Sequence, residues 1–501
     1  MALPPISTNT GINRIISESR DALFDLQRQL ATGKTVTSYG DLGQDRSRIL
    51  SVRGELSQIE GYQTTISQVN LRLDVMQLSL GQLREVASET RSDAFGQGFE
   101  LHPSGQTLYQ LTTAGRFDEV VSLLNAEVGD RYLIGGRETE KPPVLPSDEI
   151  LNGSGAQAGF KQVAQERRQA DLGADDRGRL TLPVPAGAAV TLSEDTAAPH
   201  PFGFKLNSVV SNLTGTTVNG PAGAPVAIDA TFSATLPQDG ETIAITFDLP
   251  DGSQHEVTLT ARTGAPSTLF EFQIGADENA AALNFQAALD GVILSEAQRS
   301  LSSASAFAAA NDFFDFDAAT PPQRVNGPPF DTATTLTNAT AADTVFWYQG
   351  ELSSTSARQS AIAKADDSLL VSYGARANEQ AFVTVIKSMA VMATETFSAG
   401  DTNASERYDG LRTRAVNNLG FPNGAQKVDS VITELTLSFA TLGKTSERHD
   451  ANTTLLGGVV ENSETADVFD ISAQILALQG RIEASLQVTA SLGRLSLINF
   501  L

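Results

Sequence analysis

The chain of 501 residues contains no cysteine, which excludes disulfide staples, thiolate zinc sites, iron–sulfur clusters and cysteine nucleophiles together. Its stability therefore rests on packing. Histidine is almost as scarce. His102, His200, His255 and His449 are the only four, and none stands three or four residues from another, the spacing that puts two imidazoles on one helical face. No H-E-x-x-H motif and no nucleophile constellation includes them. One Trp and 6% aromatic residues are sparse for a protein that stacks bases or sugars. Positive charge is also short: 35 Lys and Arg against 59 Asp and Glu leave a formal net charge of −24. A chain so acidic offers no basic face to duplex DNA or an anionic membrane, so nucleic acid is not an expected partner. No run of about 18 apolar residues occurs, so membrane insertion is not expected either. The first ten residues have neither the basic nor the apolar stretch of a Sec signal.

With 41% hydrophobic residues, the chain has material for sizeable cores, and its length suggests roughly three domains. Charge and composition divide it. Residues 141–350 carry −14 of the net charge together with the Gly, Pro, Thr and Ala clusters that mark strands and loops. Both ends are poor in Pro and patterned for helices. Ile12, Ile16, Leu23, Leu26 and Leu30, with Ser19 in the series, draw one apolar stripe that Gly33 should terminate. A second stripe runs Ile49, Val52, Leu56, Ile59, Tyr62, Ile66, Val69, Leu73, Met76, Leu80, Leu83, with a period of 3.5 apart from one stammer near Tyr62. It predicts a helix over residues 46–91. The C-terminal end repeats the pattern through Val428, Ile432, Leu435, Phe439, Leu442, Ser446, His449, Thr453, Leu456 and Val460, then through Val468, Ile471, Ile475, Leu478, Ile482, Ser485, Thr489 and Leu492.

A helix with a 3.5-period seam needs a partner, and the helices at the opposite end of the chain match in length. The expected fold class is α+β: a long antiparallel coiled coil or helical bundle from the paired N- and C-terminal segments, with an inserted β-rich outer region. In that region Ile243, Ile245 and Phe247 alternate before Pro250-Asp251-Gly252, and Val257 and Leu259 alternate after it, which predicts a β-hairpin. Residues 268–274 read as a strand, 279–289 as a short helix, and 146–160 and 211–227 as loops.

The chemical motifs fail on spacing or context. Gly33-Lys34-Thr35 and Gly443-Lys444-Thr445 lack the Gly five residues earlier that a phosphate-binding loop requires, and read as helix ends. Gly153 to Ala158 fits the loose dinucleotide fingerprint without a preceding strand or a clear following helix. Asp312, Asp315 and Asp317 offer oxygen ligands to a hard cation, without the EF-hand spacing or its glycine. His449 falls on an apolar seam and reads as a packed core histidine. No catalytic residue, cofactor or metal site is expected.

Several end segments carry a resemblance. Leu30-Ala31-Thr32-Gly33-Lys34 is similar to the L-x-S/T-G-x motif of the bacterial flagellin family. Gly129 to Gly136 leading into Pro142-Pro143, and Ile482 to Ser485 continuing through Leu495 to Leu501, resemble its hook-associated protein 3 branch, found where hook meets filament. The resemblance covers residues 1–145 and 351–501, and the insertion is large for that branch.

It implies three parts: inner terminal helices from 1–45 and 461–501, a helical stalk bundle from 46–145 and 351–460, and a variable β-rich outer region at 146–350. It also implies a non-enzymatic, extracellular subunit, exported without a cleaved signal through the flagellum's own type III channel. Such a subunit self-associates or assembles helically with the hook-side junction protein and flagellin, and has an export chaperone. The assembly interface falls on Ile12, Ile16, Leu23, Leu26, Leu30, Val468, Ile471, Ile475, Leu478, Ile482 and Leu492. A main filament flagellin and an adhesin mounted on a coiled-coil stalk are the alternatives.

Overall fold

The structure, a computed structural model, describes residues 8–35, 45–96 and 98–498, without the side chains of residues 8–10, 12, 13 and 492–498. It is a mixed α+β protein. The first helices are α1 (Thr8–Thr32), α2 (Arg46–Gly96), α3 (Leu108–Leu124), α4 (Ser147–Asn152) and α5 (Phe160–Leu172). The strands β1 (Leu180–Thr181), β2 (Ala189–Glu194), β3 (Lys205–Ser211), β4 (Thr216–Ala222), β5 (Ala227–Phe232), β6 (Thr242–Asp248), β7 (Gln254–Arg262) and β8 (Glu271–Gln273) follow. Helix α6 (Glu278–Glu296) passes through a π-turn at Ala297–Leu301 into α7 (Ser302–Phe314). Then come β9 (Gln323–Val325), β10 (Leu336–Asn338), β11 (Ile362–Lys364), β12 (Leu370–Ser372), α8 (Gln380–Thr394), α9 (Ala404–Leu419), α10 (Val428–Glu464) and α11 (Val468–Ile498).

Over the described residues the chain divides into two compact units. The first comprises the residues up to 68, the short segment 364–370, and those from 440 onward. Here α1 packs on α11, and the N-terminal part of α2 meets α10, with Arg53 bonded to Glu464 and Gln63 to Asp450. Ascending numbers on one helix meet descending numbers on the other, so the two run antiparallel. The apolar stripe predicted for α2 is the buried one, from Ile49 through Ile59 to Ile66. The same stripe continues into the second unit through Leu73, Met76, Leu80 and Leu83. The helix of 51 residues extends five residues past its predicted end, and its length is about 75 Å at 1.5 Å per residue.

The second unit holds residues 69–363 and 371–439. One sheet has the order β1-β2-β5-β4, all antiparallel, and the other β3-β6-β7-β8, in which β7 and β8 are parallel. The predicted hairpin is β6 and β7, in register from Thr242 opposite Thr260 to Asp248 opposite Gln254. Its turn closes with Gly252 N–H donating to Leu249 O at 2.9 Å, Gly252 lying at φ +84°, a backbone region that glycine enters without strain. Both sheets and α6 share one core. Phe285 of α6 joins them, its ring 5.7 Å from that of Phe232 on β5 and 5.3 Å from that of Phe272 on β8. A helical layer of α3, α7, α8 and α9 completes the unit, and Trp347 is fully buried with its Nε1–H donating to Phe314 O at 3.1 Å.

Two predicted loops hold regular structure. Within 146–160 lies α4, whose first turn carries Asp148 and Glu149 against the positive end of the helix dipole. Within 211–227 lies β4, an edge strand paired to β5 through its backbone. Its exposed, polar and Gly-Pro-containing sequence shows no apolar alternation, because an edge strand owes its place to the ladder rather than to burial. The strand expected at 268–274 shrinks to Glu271–Gln273. The helix expected at 279–289 is longer, capped by Asp277, whose Oδ1 accepts Ala280 N–H at 2.9 Å.

Replacing Phe285 by Ala removes the ring that touches both sheets and should cost about 3–5 kcal/mol. Urea unfolding followed by circular dichroism should show the midpoint fall. Val210→Ala, at a 71% exposed edge position, should leave it within error of the parent.

Candidate assembly surface of the terminal helices

Helix α1 ends where Gly33 takes φ +67° and donates its N–H to Gln29 O at 2.8 Å, the left-handed terminus that glycine favours. The chain after it meets the start of α11. Thr35 N–H and Thr35 Oγ1–H both donate to Glu464 O at 2.8 Å, and Ala466 N–H donates to Gly33 O at 3.0 Å. Glu464 is gripped from α2 by Arg53, with 2.7 and 2.8 Å contacts from Nη2. These bonds join the C-terminal end of α1 to the N-terminal end of α11, so the two helices pack antiparallel.

The residues expected on the seam separate into classes. Ile16, Leu23 and Leu26 on α1, and Ile475, Leu478 and Ile482 on α11, are half-buried, while Ile471 is 5% exposed. Leu30 is 38% exposed. The side chains of Ile12 and Leu492 lie outside the described residues. Val468 does not open the seam as its spacing predicts, being 52% exposed. Asp467 caps α11 by accepting Phe469 N–H at 2.9 Å and Asp470 N–H at 3.2 Å, and buried Ala466 occupies the inward position. Large apolar side chains stand outward beside the seam: Phe24 at 73%, Phe469 at 89% and Leu476 at 69% exposure. All three fall off the periodic stripe, so their spacing does not mark them.

In the same unit, the tip of the β11–β12 hairpin rests on α2 and α10. His449 is buried and its Nε2 lies 2.8 Å from Ala365 O. Its ring stacks on Tyr62 at 5.6 Å, and Tyr62 Oη–H donates to Asp367 Oδ1 at 2.8 Å. His449 is thus a packed seam histidine with a hydrogen-bond partner, as its spacing indicates.

The other motifs resolve plainly. Asp312 pairs with Arg167, Asp315 with Lys387 at 2.7 Å, and Asp317 accepts the N–H groups of Ala319 and Thr320 at 2.8 Å. The three carboxylates face different partners, and no cluster of three or more metal-ligating side chains occurs among the described residues. Gly443-Lys444-Thr445 lies inside α10 rather than at a helix end. A helix does follow Gly153–Ala158, namely α5, but α4 and not a strand precedes it. No described helix is long and apolar enough to cross a membrane.

Several carboxylates of the second unit are held ionised. Burial works against the charge of Asp251, but Arg414, with Nε at 2.6 Å, and Ser253 outweigh it and depress its affinity for protons. At Asp195 burial is likewise overcome, by hydrogen bonding from His200 and by the charge of Arg179 at 2.6 Å.

No protein-family model matches the chain, and no curated protein matches it significantly in sequence.

Because the folded carboxyls of Asp251 and Asp195 lie below their unfolded value of 3.8, they contribute stability that is present above about pH 4 and lost as pH falls through their folded range. The unfolding midpoint of the second unit should hold steady from pH 7 to 5 and drop below pH 4. Asp251→Asn should flatten that drop and, by leaving Arg414 without its anion, destabilise the unit at pH 7 by about 2–3 kcal/mol. Urea titration across pH checks both.

Proposed function

We propose that this chain is a non-enzymatic structural subunit of the bacterial flagellum that joins a helical assembly through α1 and α11, at the junction of hook and filament. The observation that carries the reading is the antiparallel pair of α1 and α11, which leaves its seam half-buried and sets Phe24, Phe469 and Leu476 in water. Two packed helices with apolar side chains on their outer faces are an incomplete core, which neighbouring copies complete. Contacts related by a rotation that does not close generate helical arrays. The end motifs that resemble the flagellin family supply the choice of assembly, and those near Gly136 and Leu501 favour the junction over the main filament, which is the alternative.

In this reading the 3.5-period stripes of α2 and α10 act as an antiparallel coiled coil. The inner helices (1–45 and 461–501), stalk (46–145 and 351–460) and outer region (146–350) divide the work of assembly, spacing and solvation. Partners are further copies of the chain, the hook-side junction protein, flagellin and an export chaperone, and the location is extracellular.

Phe24→Ser combined with Leu476→Ser should leave the monomer's helix content intact and lower incorporation into filaments by at least about tenfold, since each buried phenylalanine or leucine contributes about 1.5–3 kcal/mol. Leu26→Asp or Ile475→Asp should block incorporation by placing a charge in the seam. Normal assembly of all three variants would refute the reading. Immunogold label on intact cells separates the alternatives: a single band at the hook's distal end marks a junction protein, and label along the filament marks a flagellin.

A further inference from the structure

A polar concavity of the second unit lies over the π-turn. Between α6 and α7 the helix takes in an extra residue, with Ser302 N–H donating to Ala297 O, the wide turn that recurs at functional sites inside helices. Ser302 and Ser303 are buried and bonded to backbone carbonyls, Ala297 O at 2.8 Å and Ser300 O at 2.9 Å. Arg299 and Ser300 line a cleft of about 500 Å³ together with His255 of β7, Glu296 of α6, and Thr413 and Asn417 of α9.

The hydrogen-bonding groups of this cleft are half used. Glu296 is 8% exposed, and its Oε2 accepts from His255 Nε2 at 3.0 Å and from Ser300 Oγ. Burial opposes its ionisation, yet hydrogen bonds from His255 and Ser300 and the charges of His255 and Arg299 hold its carboxyl below the ordinary range. An ionised carboxylate only accepts, so His255 Nε2 donates in that contact, and Nδ1 stands outside it. Neither His255 Nδ1 nor Glu296 Oε1 has a protein partner among the described residues. Arg299 spends Nε on Asn403 Oδ1 at 2.8 Å and reaches Glu406 only at 3.8 Å, which leaves its outer N–H groups available. This is not a hydrolase triad. Glu296 and Ser300 meet the same imidazole nitrogen, so the carboxylate draws the serine proton to itself instead of orienting the histidine to remove it.

What remains is a polar lining in which Arg299 and Arg414 stand among the carboxylates, Arg414 already held by Asp251, with no Phe, Tyr, Trp or aliphatic side chain. The carboxylates of Glu296, Glu406 and Asp409 repel a phosphate, and the guanidiniums of Arg299 and Arg414 oppose an ammonium. A ligand that presents several groups able both to donate and to accept satisfies all of them at once. We propose that the cleft over the π-turn binds a neutral saccharide, its vicinal hydroxyls donating to Glu296 Oε1, accepting from Arg299 and hydrogen bonding to His255 Nδ1. The volume accommodates one or two sugar rings.

The test titrates the full chain with galactose, glucose and N-acetylglucosamine, with inorganic phosphate and spermidine as controls, followed by saturation-transfer NMR and calorimetry. Saturable binding of at least one sugar with a Kd of about 1–10 mM is expected, weakened at least tenfold by Thr413→Trp, which fills the cleft from an exposed position, and by His255→Ala. Unchanged thermal unfolding of Thr413→Trp certifies its fold. Ala174→Trp, at an exposed position in a separate depression beside Pro328 and Phe330, should bind as the parent does. Absence of saturable sugar binding to about 100 mM, sugar binding that survives Thr413→Trp, or saturable phosphate or spermidine binding in place of sugar would each overturn the proposal.

Discussion

The number of neighbours a helix has decides how much of its apolar stripe is buried, and in this protein that single constraint distinguishes helices of similar sequence. Ile49, Ile66, Leu73 and Leu80 of α2 are at most 1% exposed, whereas Ile16, Leu23, Ile475 and Ile482 stop at half-buried. The stripes have similar composition and spacing. Two helices packed only on each other cover the line along which they touch, and the residues flanking that line stay wet. At roughly 25 cal/mol per Å², the apolar area of Phe24 and Phe469 is a driving force for association that the monomer leaves unused. The proposed assembly role rests on this deficit and divides the residues: those of the seam hold α1 against α11, and the outward ones are the proposed contacts to a neighbour.

The helical part of the fold was legible because burial on one face of a helix writes a period of three and four into the chain. The stripes of α1, α2, α10 and α11 emerged with most members correctly placed, Gly33 marked a terminus, and Pro250-Asp251-Gly252 located the β6–β7 turn. What stayed hidden was structure held by the backbone or by distant partners. Strand β4 is fixed by its ladder to β5 and has no reason to alternate. Val468 has the right spacing, but Asp467 starts the helix so that Ala466 faces inward. Asp312, Asp315 and Asp317 look like a ligand cluster in sequence, and Arg167 and Lys387, remote in the chain, pull them apart. Nothing in one dimension marks the π-turn, because an inserted residue in a helix is visible only when the phase of burial before and after it can be compared.

Charge shows a similar separation between composition and placement. Of the ten basic residues in 141–350, eight form ion pairs, among them Arg167, Arg177, Arg179 and Arg324. Seven of those eight are arginine, whose planar fork meets a carboxylate along two bonds and stays charged when partly buried. Arg167 shows the use: 4% exposed, it meets Asp171 and Asp312, donates to Pro201 O at 2.9 Å and lies 5.0 Å from the Phe202 ring centroid. With positive charge absorbed internally, the field of this segment in solution is strongly negative. In a subunit crowded among copies of itself, as the proposed role requires, that repulsion opposes lateral aggregation of the outer regions while short-range apolar contacts act at the terminal helices.

The continuous helix through α6, the π-turn and α7 connects two cores of different character. On α6 the buried side is a stripe, Ala281, Phe285, Leu289 and Val292, set against the sheets, while α7 is buried all round, from Ala304 through Ala310. A regular helix carrying the α6 stripe onward would keep one face for the sheets and turn the other to water. One inserted residue rotates everything after it by about 100°, and the alanines then let α5, α8 and α9 approach closely from several sides. Wide-turn geometry is inherently less favourable than α, and here the side chains of Ser302 and Ser303 add hydrogen bonds to carbonyls at the turn. The same rotation leaves Glu296 and Ser300 bonded to each other and to His255 at the rim. A packing requirement in the interior has thereby created a polar cleft at the surface, and the two are separable by mutation because Thr413 belongs only to the latter.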